Sequence, residues 1–381
     1  MSLLSLPKRP MRLALMSSQN NWGGGEQFLW SLGMGLRDRG HEVVWISPHR
    51  SVLTERLVAE GVHPFTLSGR YPSLVSILRL RRFLMDHQIE ILHLNDSHAV
   101  TWGTVSTLHR SHIHRVSIKH TNFPVRSAAK YNWFVEKMAC VSATVFQTCI
   151  EGGILENKLR VITGSVPPQN WNRVTQRSQL AQKLHANSDR IFLVSVGSLI
   201  ECKGHRILLE SLRSLKLRYP QILLAIFGEG SERADLEAKI QAYELEHHVQ
   251  LLGFQDRPEQ YMAGADYFVH PALSEGLPLV AMQAQMQGIP MIASDVGGLS
   301  ELLRDPDSLT PLGWIVPPNN SELLTRAIQF AIDEPEKSRW MAERGKVCAN
   351  RRYSLERMLD EYEVFYQSVL EPKSLPYRGA A

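Results

Sequence analysis

The stretch that decides the fold lies in the middle of the chain and reads IFLVSV at residues 191–196 and ILLAIF at residues 222–227. The amphipathic segment His205–Tyr219 separates these two runs of apolar residues. Two such runs around one helical segment predict a βαβ unit with parallel strands. The same alternation continues on both sides of this unit. We therefore predict an α/β protein whose parallel sheets are covered by helices on both faces.

The alternation runs through the chain as two separate series. The first contains the strand-like runs Arg12–Ser17, Val43–Ser47, Ile89–Leu94 and Val116–Lys119 and the helical segments Gln27–Arg39 and Leu74–Asp86. The pattern restarts near Asp189 and ends in two helical segments, Glu336–Arg352 and Ser354–Val369. Two series in 381 residues predict two doubly wound, Rossmann-like domains that face each other across a cleft.

The domain boundaries follow from the same pattern. We place the first domain at residues 1–186 and the second at residues 187–353, with Gln176–Ser188 as the linker. No strand precedes the last helical segment, so residues 354–381 are expected to cross back and complete the first domain. Ligands of doubly wound sheets bind beyond the carboxyl ends of the strands. The predicted site is therefore the cleft between the two sheets.

Composition excludes several classes of protein. Hydrophobic residues make up 44% and charged residues 21%, which favours packed domains over disorder. A net charge of +4 is too weak to indicate a nucleic-acid partner. The four cysteines form no C-x-x-C pair, which argues against a zinc ribbon, a redox motif or a disulfide scaffold. The start MSLLSLPKRP does not resemble a signal peptide and no apolar run is long enough to span a bilayer, so we expect a cytoplasmic protein.

Charge is distributed unevenly between the two halves. Residues 1–186 carry 22 Lys and Arg against 11 Asp and Glu, whereas the rest of the chain carries 20 against 27. This asymmetry indicates domains with different partners. Two stretches of the basic half interleave cations with apolar side chains: Arg79, Arg81 and Arg82 with Leu78, Leu80 and Phe83, and Arg126, Lys130 and Lys137 with Trp133 and Phe134. Such stretches are typical of contact with an anionic membrane, and equally of amphipathic helices packed on their own sheet.

Glycine-rich turns follow the first strand of each series. The first domain has Gly23-Gly24-Gly25-Glu26 before a helix, and the second has Val196-Gly197-Ser198-Leu199 followed by Lys203-Gly204. Glycine lets the backbone approach a ligand, and a helix N-terminus beside a lysine attracts phosphate. Neither G-x-G-x-x-G nor G-x-x-x-x-G-K-[ST] occurs in the chain. A dinucleotide-dependent dehydrogenase and a P-loop nucleotidase therefore lose support.

The longest motif is HPALSEGLPLVAMQA at residues 270–284. A strand ends at His270, a loop places Glu275, and a helix begins close to Gly276. The Glu275 carboxylate can accept hydrogen bonds from sugar hydroxyls. We expect the loop that follows it to hold phosphate or hydroxyl oxygens, and Gln283, two turns into the helix, to reach a ribose.

In this order the motifs resemble the retaining family 4 glycosyltransferases of the GT-B fold, over nearly the whole chain. The resemblance rests on Gly24-Gly25-Glu26, Val196–Leu199 with Lys203-Gly204, the segment Glu275–Gln283, Gly297-Gly298 with Glu301, and the ending Tyr353–Tyr366. It implies that the second domain binds a nucleoside diphosphate sugar and the first binds the acceptor. It further implies that a hexose is transferred with retained configuration and that neither a metal nor another cofactor is needed.

The resemblance also assigns a role to each candidate residue. His120, at a strand end, is similar to the active-site histidine of the family, and with Glu275 and Lys203 it forms the predicted catalytic set. The predicted donor-binding residues are Gly24, Gly25, Gly197, Ser198, Lys203, Glu275, Gly276, Leu277, Pro278, Leu279 and Gln283. The implied acceptor is a glycan or a lipid-linked molecule of the bacterial envelope, such as lipopolysaccharide. The protein would meet it as a peripheral protein on the inner face of the plasma membrane.

The chain departs from the family pattern in three places. Gln283 stands where the second acid of an E-x7-E motif is usual, Ser198 where arginine is frequent, and Gly164–Pro167 where Asn-Gly-Val-Asp is usual. An amide can still bind a ribose hydroxyl, whereas the lost arginine leaves Lys203 and backbone amides for the diphosphate. These departures leave open a non-catalytic protein that binds nucleotide sugars or glycans, and the two-domain architecture leaves open a GT-B-like sugar-nucleotide epimerase.

Overall fold

The computed structural model describes residues 9–69, 71–167 and 171–371, and within these ranges the chain forms two parallel sheets. The first sheet has the order β3-β2-β1-β4-β5-β6-β7. Its strands are β1 (Arg12–Met16), β2 (Glu42–Pro48), β3 (Phe65–Leu67), β4 (Ile91–Leu94), β5 (His114–Lys119), β6 (Lys137–Cys140) and β7 (Leu159–Val161). The helices of this half are α1 (Gly24–Asp38), α2 (Val52–Ala59), α3 (Leu74–Asp86), α4 (Ser97–Ser106), α5 (Ala128–Phe134) and α6 (Ala143–Glu151).

The second sheet has the order β10-β9-β8-β11-β12-β13. Its strands are β8 (Ile191–Val196), β9 (Ile222–Phe227), β10 (Val249–Leu251), β11 (Tyr267–His270), β12 (Met291–Ser294) and β13 (Trp314–Val316). Its helices are α7 (Arg173–Lys183), α8 (His205–Leu215), α9 (Arg233–Ala242), α10 (Pro258–Met262), α11 (Leu279–Met286), α12 (Gly297–Leu302), α13 (Ser321–Asp333) and α14 (Pro335–Arg352), and the chain ends in α15 (Leu355–Leu370). The predicted α/β architecture of two doubly wound sheets is confirmed.

The central strands are apolar at nearly every position because helices cover both faces of each sheet. In β8, Phe192 and Val194 face one core of the second domain, and Leu193 faces the other. In β9, Phe227 faces the same core as Phe192, and Ile226 faces the same core as Leu193. Successive side chains of a strand point to opposite faces, so a strand between two helix layers needs apolar residues at nearly every position.

The predicted linker is wrong, because most of Gln176–Ser188 belongs to α7 or to the turn after it. Leu180 and Leu184 are buried in the core of the second domain. Arg177 also donates a 2.9 Å hydrogen bond to Asp266, just before β11. The chain therefore leaves the first domain before α7 begins, and the predicted boundary at residue 186 lies too late. The sequence RVTQRSQLAQK has few apolar residues, so its periodicity is weak.

The terminal helix α15 crosses back onto the first domain. Tyr362 and Phe365 are buried in the same core as Phe28 of α1. Gly35 lets the two helices approach closely, because a β-carbon at this position would lie 2.7 Å from Cδ1 of Leu359. Residues 372–381, which were predicted to belong to this segment, lie outside the described residues. In the described ranges, no helix combines the length and the apolar character needed to cross a membrane.

Candidate active site

A cavity of about 680 Å³ lies between the two domains, beyond the carboxyl ends of β1, β8 and β9. Its first-domain wall includes Trp22, Gly24 and Arg56, and its second-domain wall includes Phe254 and Glu229. Of the predicted donor-binding residues, the wall contains Gly24, Gly197, Ser198, Leu279 and Gln283. The predicted cleft is thus present, and it is large enough to hold much of a nucleotide sugar.

Two glycines with positive φ bring the backbone turns of the second domain together. Gly228 has φ +147°, and a β-carbon there would lie 1.9 Å from the carbonyl oxygen of Gly197. Gly204 has φ +69°, and a β-carbon there would lie 2.0 Å from the carbonyl oxygen of Pro271. L-residues rarely adopt such conformations, and no side chain fits between these backbones. The turns after β8, β9 and β11 therefore pack directly against one another at the rim of the cavity.

Glu275 is held by two basic side chains at this rim. Its Oε1 atom is bonded to Nζ of Lys203 and lies 2.9 Å from Nε2 of His270, which is buried at the end of β11. Burial alone would raise the pKa of Glu275, but the His270 hydrogen bond and the Lys203 charge outweigh it and lower the pKa to about 2. The carboxylate is therefore ionised at neutral pH. Among the described residues both contacts go to Oε1, which leaves Oε2 for a ligand hydroxyl.

His120 follows β5 and is oriented by a neighbouring strand end. Nδ2 of Asn95 donates to the Gly25 carbonyl at 3.2 Å, so Oδ1 of Asn95 faces Nε2 of His120, 2.9 Å away. Since this oxygen can only accept, Nε2 carries the proton. Burial lowers the pKa of His120 to about 4, with Lys119 acting in the same direction and Asp96 opposing both. The ring is therefore neutral at pH 7 and linked through Asn95 to the glycine turn of the first domain.

The loop that carries Glu275 presses against the first domain. A β-carbon on Gly276 would lie 1.9 Å from the carbonyl oxygen of His120, so the two backbones touch. Leu277 packs against the cores of both domains. On the other side of the glycine turn, a β-carbon on Gly24 would lie 3.7 Å from Leu279. The predicted catalytic residues His120 and Glu275 are therefore brought together although 155 positions separate them in the chain.

Two polar contacts join the domains near opposite lateral edges of the two sheets, one after β6 and β12 and the other after β2 and β10. Glu301 of α12 accepts hydrogen bonds from the amides of Ala143 and Thr144, at 3.1 and 2.9 Å, and so caps the N-terminus of α6 in the first domain. At the other edge Arg56 of α2 is bonded to Asp256, and its guanidinium lies 4.1 Å from the ring centroid of Trp22. A carboxylate at a helix N-terminus is favourable because it meets unpaired amides and the positive end of the helix dipole.

A buried acid lies beneath the glycine turn. Glu26 is 6% exposed and accepts a 3.1 Å hydrogen bond from Oγ of Ser17. Burial raises its pKa to about 7, although the Ser17 hydrogen bond acts in the opposite direction. Asp96 contributes to the rise and also caps α4 through the amides of His98 and Ala99. Glu26 therefore titrates near neutral pH.

Sequence reasoning did not predict the contacts of three residues that organise this region. Asn95 connects His120 to Gly25, His270 supports Glu275, and Glu301 joins the domains. A signal existed for two of them, because Asn95 follows β4 and His270 ends β11 at the sheet edge where ligands of this architecture bind. Glu301 was part of the Gly297-Gly298 motif, but nothing in the sequence indicated its contact, since its partner amides lie more than 150 positions earlier in the chain. The roles of the predicted donor-binding residues themselves stay predictions.

Two family profiles match the chain in succession. Glycosyltransferase Family 4 matches residues 22–170, and Glycosyl transferases group 1 matches residues 176–347. The chain belongs to the family 4 glycosyltransferases. It is therefore a glycosyltransferase, and the two profiles meet close to the start of α7, where the structure changes domain.

Several relatives of this glycosyltransferase match almost its full length. It is 23% identical over 354 residues to an uncharacterized glycosyltransferase of Haemophilus influenzae. This match covers 90% of this chain and 95% of the relative. It is 24% identical to the phosphatidylinositol N-acetylglucosaminyltransferase gpi3 subunit of Schizosaccharomyces pombe, covering 93% and 79% of the two chains. The crystal structure of Anabaena HepE in complex with UDP-glucose superposes with a TM-score of 0.83 at 19% identity, covering 94% of this chain and 100% of HepE. The fold is thus GT-B.

Proposed function

We propose that this glycosyltransferase moves a hexose from a nucleoside diphosphate sugar to a hydroxyl of a glycan or lipid-linked acceptor, with retention of configuration, in the synthesis of envelope polysaccharide or lipopolysaccharide. The observation that carries the proposal is the Lys203–Glu275 pair, which adjoins the Gly197–Ser198 turn and is followed by Gly276, whose backbone touches the backbone of His120 across the domain junction. A sugar diphosphate requires positive charge and amide donors for its phosphates and an acceptor for its sugar hydroxyls. The Lys203 ammonium, the backbone amides of the turn and the Glu275 carboxylate would meet these needs. The crystal structure of HepE in complex with UDP-glucose supports a donor of this class.

In this proposal the diphosphate lies between the two glycine turns. Gly197, Ser198 and Lys203 approach it from the second domain, and Gly24 and Gly25 approach it from the first. Gly23 caps α1 without a side-chain hydrogen bond, so the first amides of this helix are available to an anion. As the sugar–phosphate bond breaks, negative charge grows on the leaving diphosphate. Donors already aimed at that charge stabilise the transition state more than the ground state.

The transferred sugar would lie between Glu275 and His120. Oε2 of Glu275 would accept from the sugar hydroxyls while Lys203 and His270 hold the carboxylate in place. Burial lowers the pKa of His120 to about 4, so the neutral ring is a weak base, and its Nε2 proton is engaged with Asn95; it would therefore position the sugar. The resemblance to the retaining enzymes supports a route in which the leaving phosphate oxygen accepts the proton of the acceptor hydroxyl. Gln283, in the cavity wall, would bind the ribose.

The surface of the first domain, which would bind the acceptor, supports a lipid-linked substrate and contact with an anionic membrane. The outer face of α3 exposes Leu74, Val75 and Leu78 at 72%, 67% and 52%, beside the exposed Arg79 and Arg82. Phe123, Arg126 and Trp133 are exposed before and within α5. Apolar side chains flanked by arginines suit a membrane surface. The name of the yeast relative, which includes phosphatidylinositol, agrees with a lipid acceptor.

Three of the cations predicted to meet the membrane are engaged within the fold instead. Arg81 donates to the carbonyl of Ser106 at 2.9 Å, Lys130 to Oγ1 of Thr101 at 2.8 Å, and Lys137 to Oγ of Ser368 at 2.8 Å. For these three side chains the contacts agree with the alternative that the stretches pack on their own sheet. The proposed membrane surface is therefore carried by Arg79, Arg82 and Arg126.

A donor screen tests the function. The protein is mixed with uridine- and guanosine-diphosphate sugars, donor binding is measured as a thermal shift, and slow donor hydrolysis and transfer are measured by product analysis. Lys203→Met should reduce turnover at least about a hundredfold, the loss of one or two charge-assisted contacts in the transition state. Lys239→Met, on the far helix α9, is the matched control. Turnover by Lys203→Met equal to wild type would refute the assignment.

Membrane contact is tested separately by flotation with vesicles of phosphatidylglycerol and phosphatidylcholine. Wild type should float at low salt and be released as salt rises, because counterions screen the arginines. A variant with Leu74, Leu78 and Arg82 replaced by serine should stay at the bottom while its donor binding is unchanged. Wild-type protein that fails to float on anionic vesicles would refute the membrane proposal and leave the donor assignment intact.

A further inference from the structure

A buried histidine lies directly behind the proposed diphosphate turn. His205 is the first residue of α8 and is 1% exposed. A β-carbon built on Gly197 would lie 3.8 Å from its Nε2 atom and 3.5 Å from Cδ of Lys203, so the ring packs against the Gly197–Ser198 turn beside the Lys203 side chain. Neither ring nitrogen forms a hydrogen bond of normal geometry among the described residues, although the backbone of Gly197 and Ser198 lies close to the ring. Buried polar atoms are nearly always paired, so a ring left unpaired at this position needs a physical reason.

The ring is neutral in the donor-free protein. Burial, with His270 acting in the same direction, lowers the pKa of His205 to about 4, and the backbone of Gly197 and Ser198 offsets this only in part. The positive end of α8 also disfavours a charged ring at this position. The ionisable groups that act on the ring are His270 and Lys203, which in turn hold Glu275. The helices packed on α8 carry Glu232 and Asp235, which face Arg206, and Glu322, which is paired with Arg326.

The proposed diphosphate site is short of positive charge. Lys203 is already paired with Glu275, and position 198 is serine. Arg56 lines the cavity but is paired with Asp256. A diphosphate carries multiple negative charges, and placing it in a partly buried site without balancing cations is costly. A neutral base next to the site can remove this cost by binding a proton.

We propose that His205 takes up a proton from solvent when a nucleoside diphosphate occupies the Gly197–Ser198 turn, and so supplies the positive charge that serine at position 198 does not. The proposal rests on the proposed nucleotide-sugar donor. An anion favours the charged form of a nearby histidine, so the diphosphate reverses the effect of burial. The protonated ring donates from both nitrogens and holds the turn through the backbone of Gly197 and Ser198. His205 is therefore a positioning residue that acts through the turn.

Calorimetry with UDP measures this proton directly. Binding heats are recorded in buffers of different ionisation enthalpy between pH 6 and pH 8, and their slope gives the protons taken up per UDP. Wild type should take up a fraction of a proton that grows as the pH falls toward 6. His205→Asn should lose that part of the uptake and bind UDP about tenfold more weakly at pH 6, the equivalent of one pKa unit. His248→Asn is the matched control, because its ring lies at the opposite edge of the same sheet, before β10.

Each outcome separates the two proposals. Uptake in His205→Asn equal to that of wild type, with UDP still bound, overturns the role of His205 and leaves the donor assignment standing. Absence of UDP binding to wild type, when the guanosine nucleotide does not bind either, overturns both. If His205→Asn does not fold, the imidazole resonance of His205 in wild-type protein is titrated with and without UDP. An unchanged titration midpoint overturns the proposal, and a midpoint raised toward neutral supports it.

Discussion

Replacing Glu301 by alanine should open the cleft, because this side chain fastens the second domain to the N-terminus of α6. Its carboxylate accepts from the amides of Ala143 and Thr144 and from Oγ1 of Thr144, at 2.9–3.1 Å. Alanine removes all three bonds, and in an open molecule water would satisfy the amides. The change therefore acts on the closed state more than on either domain alone.

The magnitude follows from these contacts. Hydrogen bonds to a charged group contribute roughly 1.5–3 kcal/mol net, and an anion at an exposed helix N-terminus adds about 0.3–1 kcal/mol. Ala143 is exposed and Thr144 is half-buried, so solvent weakens these bonds. We therefore expect the three bonds of Glu301 together to stabilise the closed state by about 2 kcal/mol, near the lower end of this range. That is about a 30-fold shift from closed to open. The exposed Arg56–Asp256 pair is worth at most about 1 kcal/mol, so Arg56→Ala should shift the equilibrium only about fivefold.

The assay combines small-angle scattering with kinetics. Glu301→Ala should show a larger radius of gyration than wild type without donor, and its kcat/KM should fall by up to about 30-fold if only the closed form reacts. Glu301→Gln keeps an acceptor oxygen but loses the charge, so its radius of gyration and its kcat/KM should lie between those of wild type and Glu301→Ala. Scattering and kcat/KM of Glu301→Ala indistinguishable from wild type, at an unchanged melting temperature, would refute the idea that this contact holds the domains closed.

Three further perturbations test other parts of the site. Gly276→Ala would place a β-carbon 1.9 Å from the carbonyl oxygen of His120. The rate of transfer should therefore fall about tenfold or more, while the thermal unfolding temperature changes little. Full activity of this variant would contradict the close contact between the domains. Gly228→Ala, at φ +147° and 1.9 Å from the Gly197 carbonyl, should cost about 1–3 kcal/mol in urea unfolding and weaken donor binding; a wild-type unfolding curve would count against the packed turns. Burial holds the pKa of Glu26 at about 7, above its unfolded value of 4.5, so the folded protein loses stability as pH rises through this window. Glu26→Gln should therefore be more stable than wild type by up to about 3 kcal/mol at pH 8 and little different at pH 4.5, and parallel pH profiles of urea stability would exclude this.

The sequence by itself determined the central strands of both sheets and the edge of each sheet that carries the site. Runs such as 191–196 and 222–227 could only be strands covered on both faces, because burial on two sides requires apolar residues at successive positions. Glycine turns and a lysine after these strands indicated an anion site, since backbone approach and helix termini are local properties. Where local periodicity was weak, as in α7, the prediction of a linker was wrong.

Only the tertiary structure decided which side chains meet. Asn95 lies between Gly25 and His120, and Glu301 reaches Thr144, in each case across a separation that no local pattern encodes. The same holds for His205, whose burial behind the Gly197 turn depends on how α8 packs beneath β8 and β11. The physical reason is that periodicity records which face of an element is buried, whereas the identity of the group that covers it depends on how distant elements pack together.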